Sequence, residues 1–407
     1  MHSNIQGLHS AFAPLTHICH GRIGLLERAR TTATSPLQLV PRSMRGAWMH
    51  NTAIARIDLA ALSDNLKLVR ELCVHSRIMA MIKADAYGHG LLPAARALRD
   101  ADGLAVARLQ EAVALRDAGI RQRILLLATL LDRRELEICS RQTIDVTVHD
   151  HNSMMAVAEQ ARHTPLRVWL KLDSGMHRIG LLPDAFIEAD QLLSRHSGVI
   201  ELIHMTHFSS AGEVGTLVTE QQISRFLACH NPTSKAKVSL ANSAALITRP
   251  STHGDWVRPG IMLYGDNPCR SQASLTLRPA MTLTACVIAV RHIGAGEAVG
   301  YNRRWTSERA SRIGTIGIGY GDGYPRHARN GTPVLINGHL APLVGQVSMD
   351  SLTVDVTDCD RVAVGDQAIL WGADLPAVTI AECSDTITYE LFTSVSHRVT
   401  RDYSTNS

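Results

Sequence analysis

A single lysine, Lys83, ends an apolar run and is followed by a Tyr-Gly turn. The run covers residues 78–82, and Tyr87, Gly88 and Gly90 follow closely. Burial at the end of an apolar strand disfavours the ammonium form and leaves an amine that can attack a carbonyl carbon. The alternative is a strand-end lysine that extends its charge into solvent. The nearby hydroxyl and glycines favour chemistry, because they allow a phosphorylated ligand close to the backbone.

Polar side chains also end several of the apolar runs that follow. They are Lys171, Asp173, His207, Asn242, Ser243 and Arg258. In a barrel of parallel strands, functional groups collect at the carboxyl ends of the strands. One such residue could simply cap the next helix. The whole set indicates a shared site at one mouth of a barrel.

Two turns of this set are suited to binding phosphate. Asn242-Ser243-Ala244-Ala245 follows the seventh predicted strand, and Ser243 can cap a helix and donate to a phosphate. Arg258-Pro259-Gly260-Ile261 follows the eighth strand, where Gly260 permits close backbone approach. A lysine nucleophile beside a phosphate site indicates pyridoxal 5′-phosphate attached to Lys83.

The elements that position these residues are short apolar runs alternating with helix-like stretches. The runs are Ile78–Ile82, Gly103–Ala107, Arg123–Ala128, Ile144–Val148, Leu166–Leu172, Val199–Thr206, Val238–Ala241 and Asp255–Arg258. Apolar strands that alternate with helices form parallel sheets. Eight such units predict a closed (β/α)₈ TIM-like barrel rather than an open doubly wound sheet.

From residue 275 the pattern changes to short alternating runs separated by glycine, Asp and Asn. The predicted strands are Thr282–Val290, Arg312–Ile318, Val334–Ile336, Leu352–Val356 and Gln367–Leu370. One helix is predicted over Thr379–Tyr389, and Thr52–Leu59 is a strand that could belong to either part. We therefore expect a barrel domain over 51–272 and a mainly antiparallel β domain over 273–407.

Composition argues against several other classes of protein. The 407 residues are 45% apolar and 19% charged, with a net charge of +4 and no basic block, so nucleic-acid binding has little support. The longest apolar run, Ile124–Leu131, is too short to span a membrane. Eight scattered cysteines without a CxxC pair fit reduced thiols in the cytoplasm and no metal site.

Residues 1–50 differ from the rest of the chain. They contain five arginines and one acidic residue, with no sustained periodicity and no apolar core of a secretory signal. We expect a disordered extension, or a start codon placed too early.

From about Thr52 to Tyr403 the chain resembles the bacterial alanine racemases, fold-type III pyridoxal-phosphate enzymes. The resemblance begins with Lys-Ala-Asp-Ala-Tyr-Gly-His-Gly at 83–90. The other matching motifs are Leu-Lys-Leu-Asp-Ser-Gly-Met-His-Arg-Ile-Gly at 170–180, Thr-His-Phe at 206–208, Asn-Ser-Ala-Ala at 242–245, Arg-Pro-Gly-Ile-Met-Leu-Tyr-Gly at 258–265, Gly-Tyr-Asn-Arg at 300–303, Gly-Tyr-Gly-Asp-Gly-Tyr at 319–324 and Val-Ser-Met-Asp at 347–350. The resemblance implies interconversion of L- and D-alanine, for peptidoglycan supply or alanine breakdown, by a homodimer with shared active sites.

The resemblance also implies roles for individual residues. Lys83 would bind the cofactor covalently and act as acid or base on one face of the substrate, and Tyr301 of the other subunit would act on the opposite face. Arg258 would contact the pyridine nitrogen. Arg178 would meet the cofactor's phenolic oxygen and orient Tyr301. Lys171 matches a position that is carbamylated in many members, where it holds Arg178.

Further matching positions surround this pair. The phosphate would be contacted by Tyr87, Ser243, Gly260, Ile261 and Tyr389. The substrate would be contacted by Arg178, Tyr301 and Met349, and His207 would hydrogen-bond behind Arg258. Tyr320 and Arg326 resemble the gate of an entry channel, and Asp350 is a supporting residue. The sequence departs from many members at Ser348, where they have cysteine.

Three related activities are alternatives. A broader-spectrum amino-acid racemase or a basic amino-acid decarboxylase would share the fold, and a non-catalytic pyridoxal-phosphate-binding protein would share only the barrel. Residues 275–403 with Tyr301 argue against the last of these. Bulky Tyr301, Tyr320 and Met349 favour a substrate with a small side chain.

Overall fold

The computed structural model describes residues 53–127, 132–269 and 275–405. The predicted extension at 1–50 and the predicted domain boundary at 272–273 lie outside the described residues. Within the described residues, no helix combines the length and the apolar character needed to cross a bilayer.

The first described strand, β1 (Ala53–Asp58), leads directly into α1 (Leu59–Leu72). The Asp58 carboxylate caps this helix by accepting hydrogen bonds from the N–H groups of Ala60 (2.9 Å) and Ala61 (3.1 Å). Although β1 precedes the barrel in the chain, it pairs with strands of the C-terminal sheet. The sequence allows this strand to belong to the barrel or to the β domain, and the structure places it in the β domain.

Eight parallel strands form a nearly closed barrel, which confirms the predicted fold class. They are β2 (Arg77–Met81), β3 (Gly103–Val106), β4 (Arg123–Leu126), β5 (Ile144–Val148), β6 (Leu166–Lys171), β7 (Val199–Met205), β8 (Lys237–Ser239) and β9 (Trp256–Val257). The strands from β2 to β8 pair in chain order, and β9 pairs with β2. Between β8 and β9, a parallel bridge joins Asn242 to Arg258 just beyond the strand ends.

Helices follow the barrel strands and bury apolar faces. They are α3 (Leu91–Ala97), α4 (Leu109–Asp117), α5 (Arg133–Arg141), α6 (His151–Ala161), α7 (Pro183–Ser194), α8 (Val218–Cys229) and α9 (Ser243–Thr248), whereas α2 (Lys83–Tyr87), directly after β2, is a single left-handed turn. Phe186 on α7 and Phe226 on α8 are among the largest fully buried side chains. Inside the barrel, Trp169 and Trp256 meet edge to face with ring centroids 5.6 Å apart.

A second, mainly antiparallel sheet follows the barrel, as predicted. Its strands are β10 (Met281–Ile293), β13 (Ser311–Ile316), β14 (Pro333–Ile336), β15 (His339–Pro342), β16 (Leu352–Asp355), β17 (Gln367–Trp371) and β18 (Thr400–Ser404). The longest strand, β10, pairs with β1, β13 and β17, and β18 lies parallel to β1. A separate hairpin is formed by β11 (Ala298–Val299) and β12 (Trp305–Thr306).

The prediction of one helix over Thr379–Tyr389 is wrong. Two short helices stand there, α10 (Ala377–Cys383) and α11 (Thr388–Ser394). Asp385 lies between them with a φ of 48°, which is incompatible with a continuous right-handed helix. The break turns α11 toward the barrel, where it contacts α2.

Candidate active site

A cavity of about 620 Å³ lies at the carboxyl ends of the barrel strands. It is at this mouth of the barrel that the sequence predicts the functional groups. Ten of the predicted site residues line it: Lys83, Tyr87, Lys171, Arg178, His207, Ser243, Arg258, Gly260, Ile261 and Tyr389. The structure therefore brings together groups that lie more than 300 residues apart in the chain.

A larger cavity, about 1240 Å³, lies at the opposite end of the barrel, among residues at the strand starts. None of the predicted site residues lines it. Its basic side chains Arg123 and Lys237 are ion-paired with Glu201 at 2.6 and 2.5 Å. This end of a barrel is normally structural, and the chemistry lies at the other mouth.

The turn that carries the lysine is left-handed. Ala84, Asp85, Ala86 and Tyr87 have φ angles of 53–54°, and none of them is glycine. Left-handed conformation costs about 1–2 kcal/mol per residue, because Cβ approaches the following carbonyl oxygen. Such strain persists only where the surrounding structure holds it, and it is typical of functional sites. The turn directs both Lys83 and Tyr87 toward the cavity.

The amine of Lys83 is in an environment that disfavours its charge. Burial lowers the pKa of Lys83, and the positive charge of Arg178 lowers it further, while Glu111 opposes the shift. A lowered pKa increases the share of free amine, which is the form that acts as a nucleophile or as a base.

Two more cavity residues are affected by the same positive field. Burial, followed by the charges of Arg258, Arg178 and Lys83, lowers the pKa of Lys171 to about 7. Burial and the same cations lower the pKa of His207 well below its usual value, so its imidazole is neutral at neutral pH. A buried cavity with this excess of positive charge fits an anionic ligand.

Arg258 is almost completely buried, with 3% of its surface exposed, yet it has no carboxylate partner among the described residues. Its Nη1 donates to Ser239 O (2.8 Å) and Ser239 Oγ (2.6 Å). Its Nη2 donates to Thr206 O (2.5 Å) and Leu240 O (3.2 Å). Burial lowers the pKa of Arg258 to about 10, so the guanidinium remains charged at neutral pH.

His207 was expected to hydrogen-bond behind Arg258. The structure places it on the wall of the same cavity, but no hydrogen bond joins the two side chains within the described part of the chain. The strand-end carbonyl oxygens take the donors of Arg258 instead, because they surround the guanidinium directly.

One end of the cavity gathers hydroxyl and backbone N–H groups. The Gly260 N–H donates to Ser243 Oγ at 2.7 Å, next to the start of α9. Tyr87 lies beside them, and its ring stacks on Tyr264 with centroids 4.7 Å apart. Burial raises the pKa of Tyr87 to about 12 and also raises that of Tyr389, so both phenols are hydrogen-bond donors. This end can bind a phosphate group.

Five predicted residues do not line the cavity of their own chain: Tyr301, Met349, Asp350, Tyr320 and Arg326. Tyr301 lies between β11 and β12 in the hairpin, with 69% of its surface exposed. Met349 and Tyr320 are 52% and 39% exposed. Asp350 accepts a hydrogen bond from Arg398 at 2.6 Å. Their roles stay predictions.

Sequence reasoning missed three parts of the site. Tyr264 supports the Tyr87 ring and donates its hydroxyl hydrogen to Met81 O at 2.9 Å. Ile387 and Thr393, beside and within α11, line the cavity near Tyr389. The Leu-Tyr-Gly sequence at 263–265 was the signal that could have identified Tyr264. Ile387 and Thr393 could not be identified from the sequence, because the position of α11 depends on tertiary contacts.

Two family models match the chain. "Alanine racemase, N-terminal domain" covers residues 57–268, and "Alanine racemase, C-terminal domain" covers residues 280–403. The alanine racemase of Chromohalobacter salexigens is 46% identical over 359 residues, which are 87% of this chain and 98% of that protein. The alanine racemase of Yersinia pestis is 44% identical over 356 residues, covering 86% of this chain and 98% of that protein.

Solved structures agree with these sequence matches. The biosynthetic alanine racemase of Pseudomonas aeruginosa superposes with a TM-score of 0.83 at 43% identity, covering 87% of this chain and 99% of that chain. The alanine racemase of Bartonella henselae, solved with covalently bound pyridoxal phosphate, gives a TM-score of 0.79 at 30% identity over 86% of this chain and 99% of that chain. The chain therefore belongs to the alanine racemase family of isomerases.

Proposed function

We propose that the protein interconverts L-alanine and D-alanine with pyridoxal 5′-phosphate in the barrel cavity, using Lys83 and Tyr301 as its two acid–base groups. The observation that carries this proposal is the partly buried Lys83, with a lowered pKa, in a cavity that also contains the hydroxyl and N–H groups of Ser243 and Gly260 and the buried Arg258. Alanine racemisation itself follows from family membership. The cofactor, the residue roles and the dimer are our inferences.

The residues present fit this cofactor. Ser243 Oγ, the backbone of Gly260 and Ile261, and the phenols of Tyr87 and Tyr389 would hold the phosphate. A Cβ on residue 260 would lie only 2.5 Å from Tyr87 Oη. Glycine at this position keeps that space free beside the proposed phosphate site. Lys83 would hold the cofactor's carbonyl carbon covalently. When bound, pyridoxal phosphate supplies an electron sink for negative charge at the substrate α-carbon.

Arg258 would face the pyridine nitrogen and limit that sink. The guanidinium is fixed by four acceptors, and its charge is not neutralised by a carboxylate among the described residues. A fixed cation disfavours protonation of a nearby nitrogen. Arg258 therefore favours return of the proton to the substrate α-carbon over transamination.

Racemisation requires proton removal from one face of the α-carbon and proton delivery to the other. The amine of Lys83 serves one face. Tyr301 lies outside the cavity of its own chain and is largely exposed, as a residue serving a neighbouring protomer would be. We infer a homodimer in which Tyr301 of the partner subunit serves the second face.

The remaining predicted residues complete the proposed site. Arg178 orients the cofactor and Tyr301, and Met349 binds the substrate carboxylate through its N–H group. Tyr320 and Arg326 restrict entry, and Asp350 holds Arg398 beside them. Because the proposed site takes Lys83 from the barrel and Tyr301 from the β domain, both domains are needed. We propose a cytoplasmic enzyme that supplies D-alanine for peptidoglycan or breaks down alanine.

Replacement of the anchoring lysine tests the proposal. In Lys83→Ala, we expect loss of the visible absorbance of covalently bound cofactor and loss of racemisation from both L- and D-alanine. Lys67→Ala, at an exposed lysine of α1, is the matched control and should keep both. Persistence of the absorbance in Lys83→Ala would exclude Lys83 as the anchor. A panel of other L- and D-amino acids, assayed with the wild type, distinguishes a broader-spectrum racemase.

A further inference from the structure

The left-handed turn after Lys83 is tied to the C-terminal end of the chain by one arginine. Arg401, on β18, donates from Nε to Gly88 O at 2.9 Å. Its Nη2 donates to Val395 O at 2.8 Å, and its Nη1 to Ser396 O (3.1 Å) and Val399 O (3.3 Å). All four acceptors are backbone carbonyl groups, so the side chain joins two segments of backbone.

Both joined segments carry walls of the active-site cavity. Gly88 ends the turn that begins at Lys83, and Val395 follows α11, which carries Tyr389. The guanidinium has a planar fork with five donors, which fixes direction as well as distance. Arg401 therefore sets the position of the lysine turn relative to α11.

Direct contact reinforces this tie. A Cβ at Gly88 would lie 2.0 Å from Phe392 O, and a Cβ at Gly90 would lie 2.1 Å from Tyr403 Oη. The C-terminal segment thus lies directly against the backbone of the turn. On the inner side, the fully buried His89 packs edge-on against Phe392 with centroids 5.2 Å apart.

His89 also satisfies carbonyl groups of the strained residues. Its Nδ1 donates to Tyr87 O at 2.9 Å and lies 3.2 Å from Ala86 O. The turn is consequently held from inside by His89 and from outside by Arg401. Without such support, four left-handed residues that are not glycine would relax toward commoner φ values.

We infer that Arg401 is a positioning residue for the catalytic lysine: it keeps the left-handed turn formed, so that Lys83 and Tyr87 point into the cavity before the cofactor arrives. The inference rests on the proposed role of Lys83. It assigns to the far C-terminus of the same chain a function in cofactor capture. Arg401 contacts neither substrate nor cofactor, because it does not line the cavity.

Arg401→Gln tests the inference against a matched control. Arg116 likewise donates to four backbone carbonyl oxygens, those of Gln142, Ile120, Gln122 and Thr143, but at the opposite end of the barrel. Arg116→Gln should therefore reproduce a general loss of stability without affecting the lysine turn. Two quantities are measured: amide hydrogen exchange over 84–91 in cofactor-free protein, and the dissociation constant of pyridoxal phosphate.

We expect faster exchange over 84–91 and about tenfold weaker cofactor binding in Arg401→Gln, corresponding to the loss of a hydrogen bond from a charged donor. Arg116→Gln should show neither change. Arg401→Lys, which keeps the charge but not the fork, should fall between wild type and Arg401→Gln. If Arg401→Gln does not fold, Arg401→Lys takes its place in both measurements.

Unchanged exchange and unchanged cofactor binding in Arg401→Gln would overturn the inference, and so would equal effects in Arg116→Gln. The exchange measurement needs no cofactor. If wild-type protein bound no pyridoxal phosphate, the proposed function would fail, while exchange would still report whether Arg401 holds the turn.

Discussion

Gly260 and Tyr87 approach so closely that no side chain fits between them. A Cβ built on Gly260 would lie 2.5 Å from Tyr87 Oη and 3.3 Å from Cζ. The Tyr87 ring has little freedom to move aside, because it stacks on Tyr264 and the turn beneath it is left-handed. The two residues come from opposite sides of the barrel closure, and their contact shapes the proposed phosphate site.

The first prediction concerns this contact. Gly260→Ala should weaken binding of pyridoxal phosphate by about 1–3 kcal/mol, the usual cost of overpacking a rigid site. Adding Tyr87→Phe removes the atom in closest conflict, so the double variant should lose less cofactor affinity than the sum of the losses in Gly260→Ala and Tyr87→Phe. Gly294→Ala is the control, since its Cβ would meet only the flexible Glu297 side chain at 3.5 Å. Additive losses in a cofactor titration would show that the contact has no role.

The second prediction concerns carbamylation of Lys171. With a pKa of about 7, the unmodified amine is largely neutral at pH 8 and can attack carbon dioxide. The attack releases a proton, and the resulting carbamate anion would lie beside the positive charges of Arg258 and Arg178. In ¹³C-enriched bicarbonate, we expect a protein-bound carbamate signal by ¹³C NMR that weakens as the pH falls below about 7. The same signal in Lys171→Met would place the carbamate elsewhere.

The third prediction follows from the same pKa, in buffer free of carbon dioxide. Between pH 7 and 10 the unfolded chain holds a proton on Lys171 that the folded protein has released. The free energy of unfolding of wild type should therefore increase relative to Lys171→Met as pH rises, by up to about 1.4 kcal/mol per pH unit. Chemical denaturation at several pH values measures this difference. A constant difference would show that Lys171 has no lowered pKa.

The fourth prediction concerns Arg258 and the choice of reaction. Arg258→Gln removes the cation but can still donate to one of the four acceptors, whereas Arg258→Glu would place a carboxylate against carbonyl oxygens. We expect Arg258→Gln to form more pyruvate from alanine per racemisation event, with the amino group left on the cofactor, and to lose about 1–3 kcal/mol of stability. Arg312→Gln, which breaks two similar bonds on β13, is the stability control. Equal pyruvate ratios in the two variants would contradict the role of Arg258.

The barrel and most of one wall of the site could be predicted from the sequence. Apolar runs of four to eight residues alternate with helices, so the strands and the polar residues at their ends follow from local patterns. Lys171, Ser243 and Arg258 therefore share a cavity as expected. Parallel pairing in chain order brings such residues together without further information.

The rest depends on contacts that no local pattern records. Nothing in Ala84-Asp85-Ala86 predicts left-handed backbone, because that conformation is sustained by residues such as Arg401, over 300 positions later. The break at Asp385 that brings α11 to the cavity is also not visible in local helix propensity. Tyr301 is not among the described residues that line the cavity, so its proposed role depends on a second protomer.

The most direct test of the central claim uses a heterodimer of two inactive chains, Lys83→Ala and Tyr301→Phe, purified through two different affinity tags. If each site takes Lys83 from one protomer and Tyr301 from the other, the heterodimer has one intact site and one doubly defective site. It should show about half of the wild-type racemase activity, as expected for one of two equivalent sites. If both residues came from the same chain, every site would have one defect. The heterodimer would then be no more active than the two homodimers, which would contradict the shared site.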